Sequence, residues 1–288
     1  MEIRQKFNTQ IRNYLELIYQ ETEMYQQGKI DFDLLVAKAL SIMGLETNHS
    51  PPQNHSNLWT EKDSVLISYA DSIIQNDRPP LQTLHYFLNS HVSQKINSLH
   101  ILPFFPYSSD DGFAVIDFKS VKPELGNWDD IQAIANDYRL MSDLVVNHCS
   151  SKHRWFKDFL KNITPGKDYF YTIDADQDLS QVVRPRTSPL LQAVETSDGI
   201  KHVWCTFSHD QIDFDFRNPE LLMEFLKIIR FYLDRGIRIF RLDAVAFIWK
   251  TPGTTCLNLS QTHQIVRLLR LLIAVSYTHL TLPTILLV

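Results

Sequence analysis

The chain has 288 residues, 44% of them hydrophobic and 21% charged, which is the balance of one large folded domain or two smaller ones. A formal charge of −5 argues against nucleic acid or an anionic membrane as partner. Cys149, Cys205 and Cys256 lie far apart with no metal-ligand spacing, so they read as free thiols in a reducing compartment.

The N-terminus MEIRQKFNTQIRNYLELIYQ has no unbroken apolar core of the signal-peptide kind, and no stretch is apolar enough to span a bilayer. A cytoplasmic protein is expected. Ile3, Phe7, Ile11, Leu15 and Ile18 recur at steps of three and four, which predicts a helix within residues 3–26. DFDLLVAKALSIMGL predicts a second, with Asp31 as N-cap and Gly44 as stop. NHSPPQNHSN, residues 48–57, has the composition of a linker. Residues 1–60 therefore read as a helical appendage and linker.

Beyond the linker the rhythm changes. VLISYAD (65–71), LHILPFF (99–105), LMSDLVVN (140–147) and IRIFRLDA (237–244) are short apolar runs. Segments of helical spacing such as WDDIQAIANDY (128–138) lie between the first three. Strands alternating with helices predict a parallel α/β sheet, and the runs look apolar on both faces, as covered strands should. Between 148 and 236 the rhythm breaks, with helical KHRWFKDFLKN and ELLMEFLKIIRFYLDRG separated by irregular polar chain. The expected units are strands 1–3 over 61–148, an inserted subdomain over 149–215, and a helix, strand 4 and a further helix over 216–273.

Each run ends in polar residues: Asp71-Ser72, the SSDD of PFFPYSSDDGF, Asn147-His148 and Asp243. In a (β/α)8 barrel the C-terminal strand ends carry the chemistry. Asp71 alone reads equally as a cap or turn residue. In GIRIFRLDAVAF, Asp243 ends an apolar strand, where desolvating a carboxylate is costly unless it is paired or used. Arg241 lies two residues earlier, on the same strand face. The pair predicts a carboxylate kept ionised by its counter-charge, suited to act as a nucleophile.

ILPFFPYSSDDGFAVIDF, DLVVNHCS and GIRIFRLDAVAF resemble the first conserved regions of glycoside hydrolase family 13, the α-amylase clan, and more narrowly its sucrose phosphorylase subfamily. Within it, WFKDFL, VRPRTSPLL, HVWCTFSHDQIDFDFRNP and WKTPGTTC are most similar to the glucosylglycerate phosphorylase group. The resemblance runs over about residues 60–273. It implies the N-terminal half of a (β/α)8 TIM barrel, with a subdomain inserted after strand 3 and the helical appendage in front. It implies a nucleophile at Asp243, kept ionised by Arg241. It also implies a glucose subsite in which His148 bonds the ring, Asp110 grips hydroxyls deep in the pocket, Phe113 forms an aromatic platform and Gln211 lines the wall. Packing or surface roles stay open for Phe113 and Gln211.

The implied reaction is a retaining double displacement through a glucosyl-Asp243 ester, with inorganic phosphate taking the glucosyl group to give α-glucose 1-phosphate. The implied partners are an α-glucoside and phosphate, without cofactor or metal; Asn147 matches a calcium-binding position of many α-amylases, an ion this branch generally lacks. Arg184, Arg186 and Ser188 are candidates for holding phosphate or a glycerate carboxylate, against a loop pinned by salt bridges. A homo-oligomer stays open.

From Ala244 to Val288 there is no Asp or Glu, so the implied acid/base is absent from this sequence. VSYTHLTLPTILLV does not continue the resemblance, and residues 274–288 read as a non-native tail. The expectation is a fragment of a longer enzyme, inactive and poorly soluble as written. The alternatives are a sucrose or sucrose 6-phosphate phosphorylase, a hydrolase of the same clan, or a non-catalytic sugar-binding protein.

Overall fold

The computed structural model describes residues 2–46, 60–93 and 95–276. The linker at 48–57 and most of the tail, from residue 277 on, lie outside the described residues. Four strands form the frame: β1 (Val65–Ser68), β2 (Ser98–Ile101), β3 (Arg139–Val145) and, much later, β8 (Ile237–Asp243). They pair in parallel in the order β1-β2-β3-β8. This is four consecutive strands of a (β/α)8 barrel, an α/β sheet covering part of the barrel.

The crossovers are helical, as parallel pairing requires. α4 (Pro80–His91) joins β1 to β2, and α5 (Trp128–Asp137) joins β2 to β3. Asn127 caps α5, with Asp130 returning a bond to the cap amide, a capping box that fixes where the helix begins. α7 (Pro219–Asp234) leads into β8 from an Asn218 cap with proline at the first position. Gly236 turns the chain from α7 into β8 at φ +89°, and a Cβ there would lie 2.7 Å from that of Ala135. Only glycine suits both demands. α8 (Ser260–Ser276) follows β8.

The expectation that all four strands are covered on both faces fails at β1. Val65 is 39% and Ile67 61% exposed. Register places Ile67 beside His100 and Met141, so the uncovered face is the inner one. At this end of the sheet nothing among the described residues packs over it to complete a two-sided core.

Between β3 and α7 the chain makes two small antiparallel sheets. β4 (His148–Ser150) pairs with β7 (Gln211–Asp213), and β5 (Leu191–Thr196) with β6 (Gly199–Trp204). α6 (Arg154–Leu160) lies between β4 and β5. The segment read as irregular polar chain thus contains a regular hairpin, turning at Ser197-Asp198.

At the N-terminus, α1 (Glu2–Tyr19), the single turn α2 (Glu23–Gln26) and α3 (Phe32–Ile42) pack on the barrel helices. Asp31 caps α3, and Gly44, at φ +69°, follows it. α1 contacts α8 and α3, and α3 contacts α7. Ile11, Leu15 and Ile18 are buried in the core that also holds Ile265, Leu268 and Leu272. Lys38 bonds Glu220 at the start of α7 at 2.6 Å. The appendage therefore shares the barrel's core. Leu15→Ala should cost about 2–5 kcal/mol and shift one cooperative urea transition seen by tryptophan fluorescence. A separate early transition would show that the appendage unfolds alone.

Candidate active site

The C-terminal ends of β3 and β8 bring the charged groups together. Asp143 and Arg241 are register partners, as are Val145 and Asp243 two residues further on. Arg241 Nη1 lies 3.3 Å from Asp243 Oδ1, and the same nitrogen bonds Asp143 Oδ1. Asp143 is fully buried, and its other oxygen lies 2.7 Å from His100 Nε2 on β2. The arginine is therefore shared between two carboxylates.

Asp243 therefore has only part of the arginine's charge. Burial raises the Asp243 carboxyl to about 6; Arg241 opposes this, while Asp143 and Asp110 add to it. The group stays mostly ionised at pH 7, by a ratio of about ten to one. It can serve as a nucleophile at neutral pH and loses that capacity below its own pKa. The next residue, Ala244, has φ +52°, a left-handed conformation that costs an alanine about 1 kcal/mol or more.

The second wall comes from the loop after β2 and from the β4–β7 pair. Gln211 Nε2 donates to Asp110 Oδ2 at 2.8 Å and lies 3.1 Å from His148 Nε2. Burial lowers the His148 pKa to about 4, so its imidazole is neutral at pH 7 and can accept from the amide. Phe207 packs on the His148 ring at a centroid distance of 5.2 Å. The Arg241 guanidinium carbon stands 5.6 Å from the centre of the Phe113 ring. Asp110 and Asp111 both have positive φ, +57° and +48°. The depth expected for Asp110 is not found: it is exposed, because the described strands wall the site on one side only.

Beneath His148 lies a buried polar knot. Lys250 Nζ lies 2.9 Å from Asp213 Oδ2 and donates to Asn147 Oδ1 at 3.0 Å. Asn147 Nδ2 donates to Asp213 at 2.9 Å, and Thr206 adds its amide and hydroxyl at 3.0 and 2.6 Å. Such a pair is tolerable in the interior because its polar atoms are bonded as well as its charges. It fixes the backbone that aims His148 and Gln211. Among the described residues, no three His, Cys, Asp or Glu side chains group as a metal site.

Six of the residues singled out from the sequence thus meet: Asp243, Arg241, Asp110, Phe113, His148 and Gln211. Arg184 does not join them. It donates to the Ser188 carbonyl and hydroxyl and to the Cys205 and Thr206 carbonyls. It pins its own loop, through carbonyls rather than the salt bridges expected. Arg186 is exposed. Asp143, Asp213 and Lys250 were not singled out, although an acid in the middle of the apolar run LMSDLVVN was a visible signal. Tyr69 was also missed; burial raises its pKa, with Asp111, Asp143 and Asp110 adding to the effect.

The raised Asp243 pKa has a sign in stability. A carboxyl whose folded pKa lies above its unfolded value favours the fold below pH 4, and that contribution is lost as pH rises through about 6. Asp243→Asn should therefore match the unsubstituted chain below pH 4 and exceed it by about 3 kcal/mol at pH 7.5. Buried His148 and His153, both lowered to about 4, destabilise the two chains alike as pH falls from 6.5. Urea unfolding across pH 3.5–7.5 reads the difference; an Asn variant weaker at pH 7.5 would show that the carboxylate is net stabilising.

The α-amylase catalytic domain matches residues 92–267. Glucosylglycerate phosphorylase from Allomeiothermus silvanus is 47% identical over 232 residues, 81% of this chain and 42% of that protein. The protein of the same name from Escherichia coli is 45% identical over 222 residues, covering 77% and 40%. The chain therefore spans about 40% of the length of these curated relatives. The crystal structure of sucrose 6F-phosphate phosphorylase from Thermoanaerobacter thermosaccharolyticum superposes with a TM-score of 0.72 at 28% identity, covering 83% of this chain and 50% of that one. With more than half its residues matched by that domain, the chain belongs to the α-amylase family.

Proposed function

We propose that this chain carries the nucleophile and the glucose-binding side of a retaining α-glucoside phosphorylase of the glucosylglycerate type. The observation that supports it most is the partly buried Asp243 carboxylate beside Arg241, at the site that also holds the linked trio Asp110, Gln211 and His148. Asp243 attacks the anomeric carbon of the α-glucoside and forms a β-glucosyl ester as the leaving oxygen takes a proton. Phosphate then attacks the same carbon, releasing Asp243 and giving α-glucose 1-phosphate. The His148 imidazole, the Gln211 amide and the Asp110 carboxylate offer hydrogen bonds to ring hydroxyls, and Phe113 offers an apolar face.

The leaving oxygen needs an acid, and no Asp or Glu follows Asp243 in this sequence. The residues at hand supply the nucleophilic half of the reaction only. The substrate assignment rests on the relatives: glucosylglycerate phosphorylases at 45–47% identity against 35% for a sucrose 6(F)-phosphate phosphorylase. For the anionic acceptor, Arg186 is the candidate that remains, since Arg184 donates to the Ser188 carbonyl and to the carbonyls that follow β6.

The test is glucose 1-phosphate release by the protein encoded by the complete source reading frame. Glucosylglycerate, sucrose and sucrose 6-phosphate are each supplied with phosphate. Release is expected from glucosylglycerate and should fall by about 10⁴-fold or more in Asp243→Asn. Arg186→Ala should raise KM for phosphate about tenfold with a smaller change in kcat. Release of free glucose without phosphate dependence would move the reading to a hydrolase. Sugar binding without any turnover would contradict the proposal.

A further inference from the structure

The turn that carries Asp110 is strained and needs a reason to hold its shape. Asp110 and Asp111 are consecutive non-glycine residues at positive φ. Gly112 follows at φ +111°, so close to Pro103 that a Cβ would lie 2.8 Å from the proline's own. The backbone bonds here mostly close the turn on itself: Ser108 N to Ala114 O, Phe113 N to Asp110 O and Ala114 N to Ser109 O. The side-chain links from this turn to the inserted subdomain centre on the dipeptide Asp210-Gln211 and on Ser150.

Gln211 holds the Asp110 carboxylate. Its neighbour does something else: the Asp210 carboxylate accepts from Ser108, Ser109 and Ser151 together, with Ser151 at 2.6 Å. The Asp210 carbonyl takes the Ser151 amide at 2.9 Å, and Ser108 also meets the Ser150 hydroxyl. An ionised carboxylate is an acceptor only, with room for about four donors, so it suits three converging hydroxyls as an amide does not. Charge-assisted bonds of this kind are roughly twice as strong as neutral ones. They lower the Asp210 pKa against the effect of its partial burial.

We propose that Asp210 is a positioning residue of the sugar pocket: its carboxylate ties Ser108, Ser109 and Ser151 and so holds the strained Asp110–Asp111 turn in the shape that presents Asp110 to a pyranose. The purpose of the clamp rests on the sugar-pocket reading above; its existence does not. Asp210 touches no reacting group and acts through Asp110.

The experiment measures amide hydrogen exchange over residues 108–113 and D-glucose affinity by calorimetry. The 288-residue chain, Asp210→Asn, Ser109→Ala and a control, Asp198→Asn in the β5–β6 turn, are compared. Asp210→Asn should speed exchange in 108–113 about tenfold, leave β3 protected and weaken D-glucose binding about tenfold. Saturating D-glucose should restore protection of 108–113 in that variant while changing little in the unsubstituted chain, a signature that general destabilisation would not produce. Unchanged exchange in 108–113 would overturn the proposal. If Asp210→Asn loses protection in β3 as well, Ser109→Ala decides: local exchange about threefold faster supports the clamp, and no change overturns it. An unsubstituted chain that binds no D-glucose, with a turn that still loosens in Asp210→Asn, would overturn the sugar-pocket reading and leave the clamp standing.

Discussion

One guanidinium serves two carboxylates, and the site is arranged around that fact. Arg241 faces Asp143, which is fully buried, and Asp243, whose side chain is 17% exposed. A buried carboxylate without a partner would be strongly destabilising or would protonate. Burial raises Asp243 to about 6, Arg241 opposes the rise and Asp143 adds to it, and the group still ionises at neutral pH. A carboxylate bound more tightly by its arginine would be a weaker nucleophile; one left unpaired would be protonated and inert. His100, bonded to the far oxygen of Asp143, completes the chain of contacts across three adjacent strands.

The fold delivers this arrangement through register. Parallel pairing of β3 with β8 sets Asp143 opposite Arg241 and Val145 opposite Asp243. The segment between β3 and α7 supplies the facing groups. β4 begins at His148 only two residues after Val146 leaves the sheet region, and β7 returns Gln211 and Asp213 beside it. The buried Lys250–Asp213–Asn147 knot joins the chain just after β3 and the chain after β8 to β7, so the His148–Gln211 side and the Asp243 side of the site are braced as one unit. The N-terminal helices close the outer layer over α7 and α8.

Much of this was legible because it depends on local pattern. The four strands, the helices between them, the Asp31 cap and the Gly44 stop follow from periodicity and terminal residues. The convergence of Asp110, His148 and Asp243 followed from placing strand ends at one face of a parallel sheet. What escaped was either long-range or outvoted by composition. Arg241 was matched with the acid two residues away, while its other partner lies 98 residues distant on β3. Lys250 and Asp213 are far apart in sequence, and nothing local marks them as a pair. The β5–β6 hairpin had a usable Asp198-Gly199 turn signal, hidden within a polar stretch. The exposure of Ile67 and Asp110 reflects what does and does not cover the inner face of the sheet, which no single strand's pattern reports.

The most direct test of the shared arginine is a carboxyl-carbon NMR titration of Asp243, repeated in Asp143→Asn. The account predicts a midpoint of about 6 in the unsubstituted chain. It predicts a clear downward shift when Asp143 no longer competes for Arg241 or repels Asp243. A midpoint at or below the usual carboxylate value, unmoved by Asp143→Asn, would contradict it.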